Sequence, residues 1–213
     1  MLRAVDQIRA PTDARAWRGA RTFADLCALG ARFVTGEIHA FPGWGGAGLD
    51  EESMPLVPVL ELCNRAGFLT VASQPGRAPH PDATGRLCSQ RAFVAGFADE
   101  GAVRALQGLA RTDLTVCIQP PGARGGPAIP ASQVDSEVCA WAGHAASQEE
   151  LRLFRPSISR AALLALQARA FVWVIDLAWE DRDDCWRALR GALNAIPSIQ
   201  NPDPNPHTSH ELP

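Results

Sequence analysis

The chain has 213 residues, of which 46% are hydrophobic and 20% are charged, so its apolar content is enough for one sizeable core. The formal net charge of −3 gives no general attraction to nucleic acid or to an anionic membrane. No apolar run approaches the roughly 20 residues that span a bilayer, and the first residues lack a secretory signal pattern. The sequence therefore predicts a cytoplasmic protein that binds neither nucleic acid nor a membrane.

Two absent residue types exclude much of cofactor enzymology. All 20 basic residues are arginine, and the chain has neither lysine nor tyrosine. Without lysine, a pyridoxal-phosphate Schiff base, a lysine aldolase and a Walker phosphate loop are excluded. The six cysteines form no CxxC pair, which indicates reduced thiols and neither a disulfide framework nor a zinc site. We therefore expect no cofactor and no bound metal.

The first half of the chain begins with helical patterns. Asp13 begins one long pattern whose apolar stripe runs from Trp17 to Val34. A glycine-rich loop is predicted over residues 36–54, and a second helix over residues 55–63. The loop is typical of a lid or of a contact between copies of the chain, so a homo-oligomer is an open alternative.

Part of this loop, Gly43 to Gly48, formally matches the dinucleotide-binding fingerprint. The context does not fit, because no strand precedes it and Pro55 and Pro58 delay the following helix. Asp50 or Ser53 is a candidate cap for that helix.

A short apolar strand, Phe68–Ala72, leads into the sequence Ser73-Gln74-Pro75-Gly76. Proline at the second position and glycine at the third position predict a type II turn, with a positive φ at Gly76. The turn would place Ser73 and Gln74 at the carboxyl end of the strand.

The rest of the chain alternates strands and helices. We predict a polar loop from Gly76 to Cys88, followed by strands over 91–97 and 114–118, with a helix over 100–110 between them. Further expected elements are a weak strand at 134–141, helices at 148–154 and 159–169, a central strand at 170–177 and a helix at 181–193.

This order predicts an α/β or α+β fold with one domain over residues 1–196, in which helices flank a mixed sheet of four to five strands. Residues 197–213 form a proline-rich tail that we expect to be disordered. The loop between the first two strands lacks a crossover helix, so these strands should pair antiparallel. The third strand should run parallel to the second, which places the similar turn after Gln119 at the opposite end of the sheet.

Antiparallel pairing brings Gln90 and Arg91 next to the Ser73–Gly76 turn. Gln74, Gly76, Gln90 and Arg91 are therefore the predicted substrate-binding residues. Arg91 offers two donors to a carboxylate or a phosphate, and a structural ion pair or turn clamp is an equally good interpretation.

Three residues are candidates for catalysis. Ser73 ends the first strand but lacks the G-x-S-x-G elbow, so a substrate-binding role is favoured over a nucleophilic one. Asp176 ends the strongest strand, where it would face a site or pair with an arginine. His144 follows Cys139 by five residues, which suits a nucleophile–base couple, although lone thiols are more often core residues.

The middle of the chain resembles an uncharacterised domain family associated with actinobacteria and their phages. The likeness covers roughly residues 15–100 and centres on the motif G-F-x-T-x-x-S-Q-P-G, which here runs from Gly67 to Gly76. Other matching residues are Trp17, Arg21, Thr22, Asp25, Leu26, Asn64, Arg65, Ala66, Gln90, Arg91, Ala92, Gly96 and Phe97. The family's function is unknown, so the resemblance implies no activity, but it does imply that the turn and the Gln90-Arg91 pair belong together.

Two functions are consistent with these features. The first is a small cofactor-independent enzyme acting on a polar or anionic small molecule by acid–base or hydrolytic chemistry, in specialised metabolism. The alternative is a non-catalytic binding, regulatory or phage-defence accessory protein, because six tryptophans in a chain of this size favour interaction surfaces.

Overall fold

The computed structural model describes residues 11–43 and 48–196. The glycine-rich residues 44–47 and the predicted tail at 197–213 lie outside the described residues. The helices are α1 (Pro11–Gly19), α2 (Phe23–Val34), a 3-10 helix (Glu51–Leu56), α3 (Val57–Arg65), α4 (Glu100–Gln107), α5 (Gln148–Phe154), α6 (Arg160–Gln167) and α7 (Asp184–Asn194). The strands are β1 (Phe68–Gln74), β2 (Arg77–Pro81), β3 (Leu87–Gln90), β4 (Phe93–Ala98), β5 (Leu114–Gln119), β6 (Ile129–Val134), β7 (Glu137–Ala142) and β8 (Ala170–Asp176).

The strands form two four-stranded sheets, in which all neighbours pair antiparallel. The first sheet has the order β1-β4-β8-β5 and the second has the order β2-β3-β6-β7. The predicted fold class is confirmed as α+β, with the strands divided between two sheets instead of forming one. The first two predicted strands, β1 and β4, are antiparallel as expected. Because β4 and β5 both pair antiparallel with β8, they run parallel to each other, and Gln119 lies at the opposite end of the sheet from Gln74.

The first helical pattern is interrupted, so the prediction of one long helix from Asp13 is wrong. Thr22 caps α2 because its hydroxyl accepts a hydrogen bond from the amide of Asp25, and the Asp25 carboxylate accepts from the Thr22 amide at 2.9 Å. This capping box satisfies amides that a continuous helix would bond internally. Asp13 lies inside α1, where its carboxylate accepts a hydrogen bond from the His39 amide at 2.8 Å.

The predicted polar loop from Gly76 to Cys88 is also wrong, because it forms the β2–β3 hairpin. The Asp82 carboxylate accepts hydrogen bonds from the amides of Thr84 and Arg86 at 2.7 and 3.0 Å, and Gly85 adopts φ +84°. Local turn chemistry therefore closes the hairpin. β2 alternates exposed and half-buried residues, and the one buried residue of β3 is the polar Ser89, so neither strand has an apolar pattern that the sequence could reveal.

The two faces of the first sheet are covered by different elements. One face carries Val172, Val174 and Asp176 of β8 and packs against α3, α4 and α7. The other face carries Phe171 and Trp173, whose rings continue an aromatic series through Phe97 and Phe154. β8, one of the two interior strands of this sheet, is buried almost throughout, as its apolar sequence predicts.

A β-bulge in β1 decides where the end of this strand points. The pairing of Thr70 with Gly96 is followed by the pairing of Ala72 with Ala95, so Val71 is an extra residue in the strand. The register shift places Ser73 on the same face as Thr70, toward the helices. Gln74 consequently faces the other side, toward the second sheet. A regular strand would give the reverse arrangement.

The type II turn predicted after Ser73 is wrong. Gly76 does not adopt a positive φ, and Pro75 and Gly76 directly connect β1 of the first sheet to β2 of the second. Glycine is needed here for close approach, since a Cβ atom at this position would lie 2.4 Å from the carbonyl oxygen of Glu180. In the similar turn after Gln119, Gly122 does have a positive φ, of 75°.

Candidate functional site

A cavity of about 200 Å³ lies along β1, the outermost strand of the first sheet. We call it the β1 cavity. It is bounded by the end of α2, the segment before and within the 3-10 helix, α3 and the second half of β1. Its lining residues are Phe33, Val34, Phe41, Leu49, Asp50, Ser53, Leu60, Thr70, Val71, Ala72 and Ser73. Most of this wall is apolar, so the few polar groups define where a ligand's polar end would bind.

Two serine hydroxyls meet at the β1 cavity. Ser53 in the 3-10 helix is buried, and its Oγ lies 3.3 Å from the Oγ of Ser73. Within such a pair one hydroxyl donates to the other, so one proton and several lone pairs remain for a ligand. The β-bulge creates this contact because it turns Ser73 toward the helices.

A third hydroxyl, that of Thr70, is held from behind. The buried Asn64 donates from Nδ2 to Thr70 Oγ1 at 2.8 Å and to the Leu60 carbonyl at 2.8 Å, while Asn64 Oδ1 accepts from the Thr70 amide at 3.2 Å. The amide side chain thereby joins α3 to β1 and fixes the wall of the cavity. The Thr70 hydroxyl retains its proton as a donor because its bond to Asn64 uses only a lone pair.

Asp50 supplies the acidic group on the cavity wall. It precedes the 3-10 helix at the N-cap position, but its side chain makes no capping hydrogen bond, and it takes part in no ion pair within the part of the chain that the structure describes. Asp50 is an exposed residue, but partial desolvation of its carboxyl raises the pKa, and the nearby Glu52 charge raises it further. The sequence suggests only a capping role for Asp50 and Ser53, so their place in a cavity was not foreseen.

The predicted binding residues Gln74 and Arg91 do lie together, at the junction of the two sheets. Gln74 Nε2 donates to the carbonyls of Arg91 and Ala131 at 3.0 and 3.2 Å, and Gln74 Oε1 accepts from the Ser132 hydroxyl at 3.1 Å. Gln90 extends this network toward Glu52 and Pro75 with weaker contacts of 3.4 and 3.5 Å.

The guanidinium of Arg91 is occupied by the protein itself. Its Nε donates to the Leu177 carbonyl at 3.0 Å and one terminal nitrogen donates to the Pro130 carbonyl at 2.9 Å. Its central carbon lies 4.4 Å from the centre of the Trp179 ring. Partial burial lowers the pKa of Arg91, while the charge of Asp176 raises it. These contacts correspond to the clamp interpretation of Arg91.

Asp176 is buried and engaged with Arg182. Its Oδ2 accepts from Arg182 Nε at 2.9 Å, and its Oδ1 accepts from the Ala178 amide at 2.9 Å. The hydrogen bond that Arg182 donates to Asp176 raises the pKa of Arg182. From the strand spacing and the rise per residue, the Cα atoms of Asp176 and Ser73 are about 12 Å apart. Asp176 and Arg91 do not line the β1 cavity.

His144 lies on the opposite face of the first sheet from Ser73. Its ring is 5.0 Å from that of Trp173, and its carbonyl accepts a hydrogen bond from Trp173 Nε1 at 2.7 Å. Cys139 is exposed on β7, so the described contacts do not join the predicted thiol–imidazole couple. The structure therefore brings Gln74, Gly76, Gln90 and Arg91 together but assembles Ser73, Asp176 and His144 around no common cavity.

The four buried cysteines show little sign of reactivity. Cys27, Cys63, Cys117 and Cys185 are buried, and burial raises the pKa of the Cys63 thiol to about 12. Such thiols remain protonated and are poor nucleophiles. Over residues 11–43 and 48–196, no group of three or more His, Cys, Asp or Glu side chains is suited to a metal ion. No helix within these ranges is long and apolar enough to cross a membrane.

The described residues form an α+β domain with a cavity of about 200 Å³ at the edge of its first sheet. Residues 12–196 match the family model of a domain of unknown function, DUF6919, and the chain belongs to this family. A comparison with curated proteins finds no match.

Proposed function

We propose that this chain is a small cofactor-independent enzyme that binds its substrate in the β1 cavity and acts by acid–base chemistry. The observation that carries the proposal is that Asp50, Ser53 and Ser73, together with the Thr70 hydroxyl, line a cavity whose wall is mostly apolar. A cavity with a few convergent polar groups and a carboxyl of perturbed pKa is the arrangement expected of an active site.

In this proposal, each polar group has a distinct task. Asp50 exchanges a proton with the substrate, and its raised pKa brings the carboxyl closer to the pH at which an acid–base group works best. The Ser53–Ser73 pair orients the polar end of the substrate. Asp176 and His144 have no task in this cavity, and the expectation of an anionic substrate gains no support, because no basic side chain lines the cavity within residues 11–43 and 48–196.

We also propose that the enzyme is cytoplasmic and acts in the specialised metabolism of an actinobacterium or its phage. Arginine is the only basic residue of the chain besides histidine, and this composition is typical of a GC-rich genome, which supports the actinobacterial source.

A fragment screen by ligand-observed NMR tests the site. Ala72 is exposed and lines the β1 cavity, so Ala72→Trp should obstruct it without disturbing the core. Ala161→Trp, on the exposed face of α6, is the matched control. We expect fragments to bind the wild type and the control but not Ala72→Trp. Binding that Ala72→Trp leaves unchanged, or the absence of any binding fragment, would contradict the proposal. Catalysis is then tested by assaying the fragments that bind, and their larger analogues, for chemical turnover. We expect Asp50→Asn to abolish that turnover.

A second candidate, a non-catalytic binding module, is favoured by one observation. Trp141 on β7 is 51% exposed, whereas Trp17, Trp173 and Trp186 are buried. Trp44, the other tryptophan of interest, lies outside the described residues. If the chain is a binding module whose partner is a second copy of the chain, sedimentation velocity should show a dimer, and Trp141→Ala should abolish it. A monomeric wild type that turns over a small molecule would favour the enzyme.

A further inference from the structure

The β1 cavity has an unbalanced set of hydrogen-bonding groups. Asp50 can only accept when ionised, the Ser53–Ser73 pair has more lone pairs than free protons, and the Thr70 hydroxyl adds one proton and one lone pair, so acceptors outnumber donors. The charge is unbalanced in the same direction, because Glu52 lies close to Asp50 and no arginine or histidine is among the lining residues that the structure describes.

The rest of the wall sets the size and the character of the occupant. Phe33 and Phe41 line the cavity with their ring centres 5.2 Å apart, and Leu60 and Val71 complete the apolar surface. An apolar cavity of about 150 Å³ in another protein accepts benzene. A volume of about 200 Å³ therefore suits a ring or branched aliphatic group with a short arm.

We infer that the β1 cavity selects a small apolar amine, whose protonated nitrogen binds between the Asp50 carboxylate and the Ser53–Ser73 hydroxyls. The inference rests on the proposed function, since it names the substrate class of the same site. An ammonium group supplies three donors and a positive charge, which match the acceptor groups of Asp50, Ser53 and Ser73, the first of them an acid with no ion pair among the described residues. The ionised form of Asp50, which partial desolvation and the Glu52 charge disfavour, would gain a counter-charge.

Three probes with one apolar body separate the contribution of charge from that of shape. We would measure the affinities of 2-phenylethylamine, 2-phenylethanol and phenylacetate by isothermal titration calorimetry at pH 7. A hydrogen bond to a charged group supports an expectation of about tenfold tighter binding for the amine than for the alcohol. Phenylacetate should bind more weakly than either, because its carboxylate meets Asp50.

Asp50→Asn should weaken amine binding by about tenfold and leave alcohol binding within about twofold. Glu52→Gln is the matched control, because it removes a nearby acid that does not line the cavity, and it should change amine binding by less than about threefold. Equal affinities for amine and alcohol, or an Asp50→Asn variant that binds both as the wild type does, would overturn the amine inference and leave the cavity proposal standing. Binding of the probes that Ala72→Trp leaves unchanged would overturn both, and so would the failure of all three probes and of the fragment screen.

Discussion

Replacing Arg91 with lysine is expected to destabilise the fold without affecting the β1 cavity. Arg91 links the end of the first sheet, through the Leu177 carbonyl, to the second sheet, through the Pro130 carbonyl, and packs under Trp179. A lysine ammonium is a point donor and reaches only one of two carbonyls that a planar guanidinium serves together. The conservative change in charge is therefore a large change in geometry.

The expected loss follows from these contacts. One hydrogen bond from a charged donor contributes about 1.5–3 kcal/mol, and an exposed cation–π contact about 0.5–1 kcal/mol. Because Arg91 is only partly buried, we take about 2 kcal/mol as the total. For a protein of this size, each kcal/mol shifts the thermal midpoint by about 2–4 °C, so a decrease of about 4–8 °C is expected.

Urea unfolding, followed by circular dichroism, measures this loss as a lower midpoint at an unchanged slope. Arg104→Lys is the matched control, because Arg104 is exposed on α4 and lies 3.8 Å from Glu100, so its replacement should cost less than about 0.5 kcal/mol. An Arg91→Lys variant that is as stable as the control would refute the clamp. Loss of binding to an anionic ligand at unchanged stability would instead support the ligand-binding interpretation of Arg91.

Two other predictions test the frame around the site. Gly96→Ala should lower the free energy of unfolding, measured by urea titration, by about 1–3 kcal/mol, because the new Cβ would lie 2.0 Å from the Leu69 carbonyl oxygen beside the bulge. The control is Gly191→Ala on α7, where a Cβ meets nothing within 4 Å, and it should be neutral or stabilising in the same titration. Hydrogen bonds from Thr84 lower the pKa of Asp82 to about 2, so Asp82 contributes stability above its unfolded pKa near 3.8 that disappears as the pH falls toward 2. Asp82→Ala should therefore lower the thermal midpoint at pH 7, and a deficit that stayed constant down to pH 2 would contradict this assignment.

Much of the first sheet could be predicted from the sequence because its signals are local. The apolar run of β8 and the bounds of α5 at Gln148 and Phe154 agree with the predicted elements. The antiparallel pairing of β1 with β4 followed from the lack of a crossover helix, and it correctly placed Gln74 beside Arg91. The sequence does not predict most of the second sheet, because its strands are short and half-exposed. Pairing with strands distant in the sequence, rather than hydrophobic alternation, stabilises them.

The β1 cavity could not be predicted, for a related physical reason. It forms where α2, the 3-10 helix and β1 pack together, and no local pattern links Phe33 and Asp50 to Ser73. The sequence points to Ser73 because it lies at a strand end, but it predicts Gln90 and Arg91 as the neighbours of Ser73, whereas the structure places Ser53 there. Asp50 and Ser53 resemble ordinary helix caps, and only tertiary packing gives them another role.

The extra residue in β1 makes the length of the strand decide which side chain of the Ser73-Gln74 dipeptide faces the β1 cavity. Deleting Val71 would leave the Ser73-Gln74 dipeptide intact but exchange the two sides that its members face. The serine would then face the inter-sheet junction, and the glutamine amide would face Ser53. A family member that lacks this residue would therefore have an identical motif with its two roles interchanged, so comparing such sequences by motif alone would pair residues that do different work.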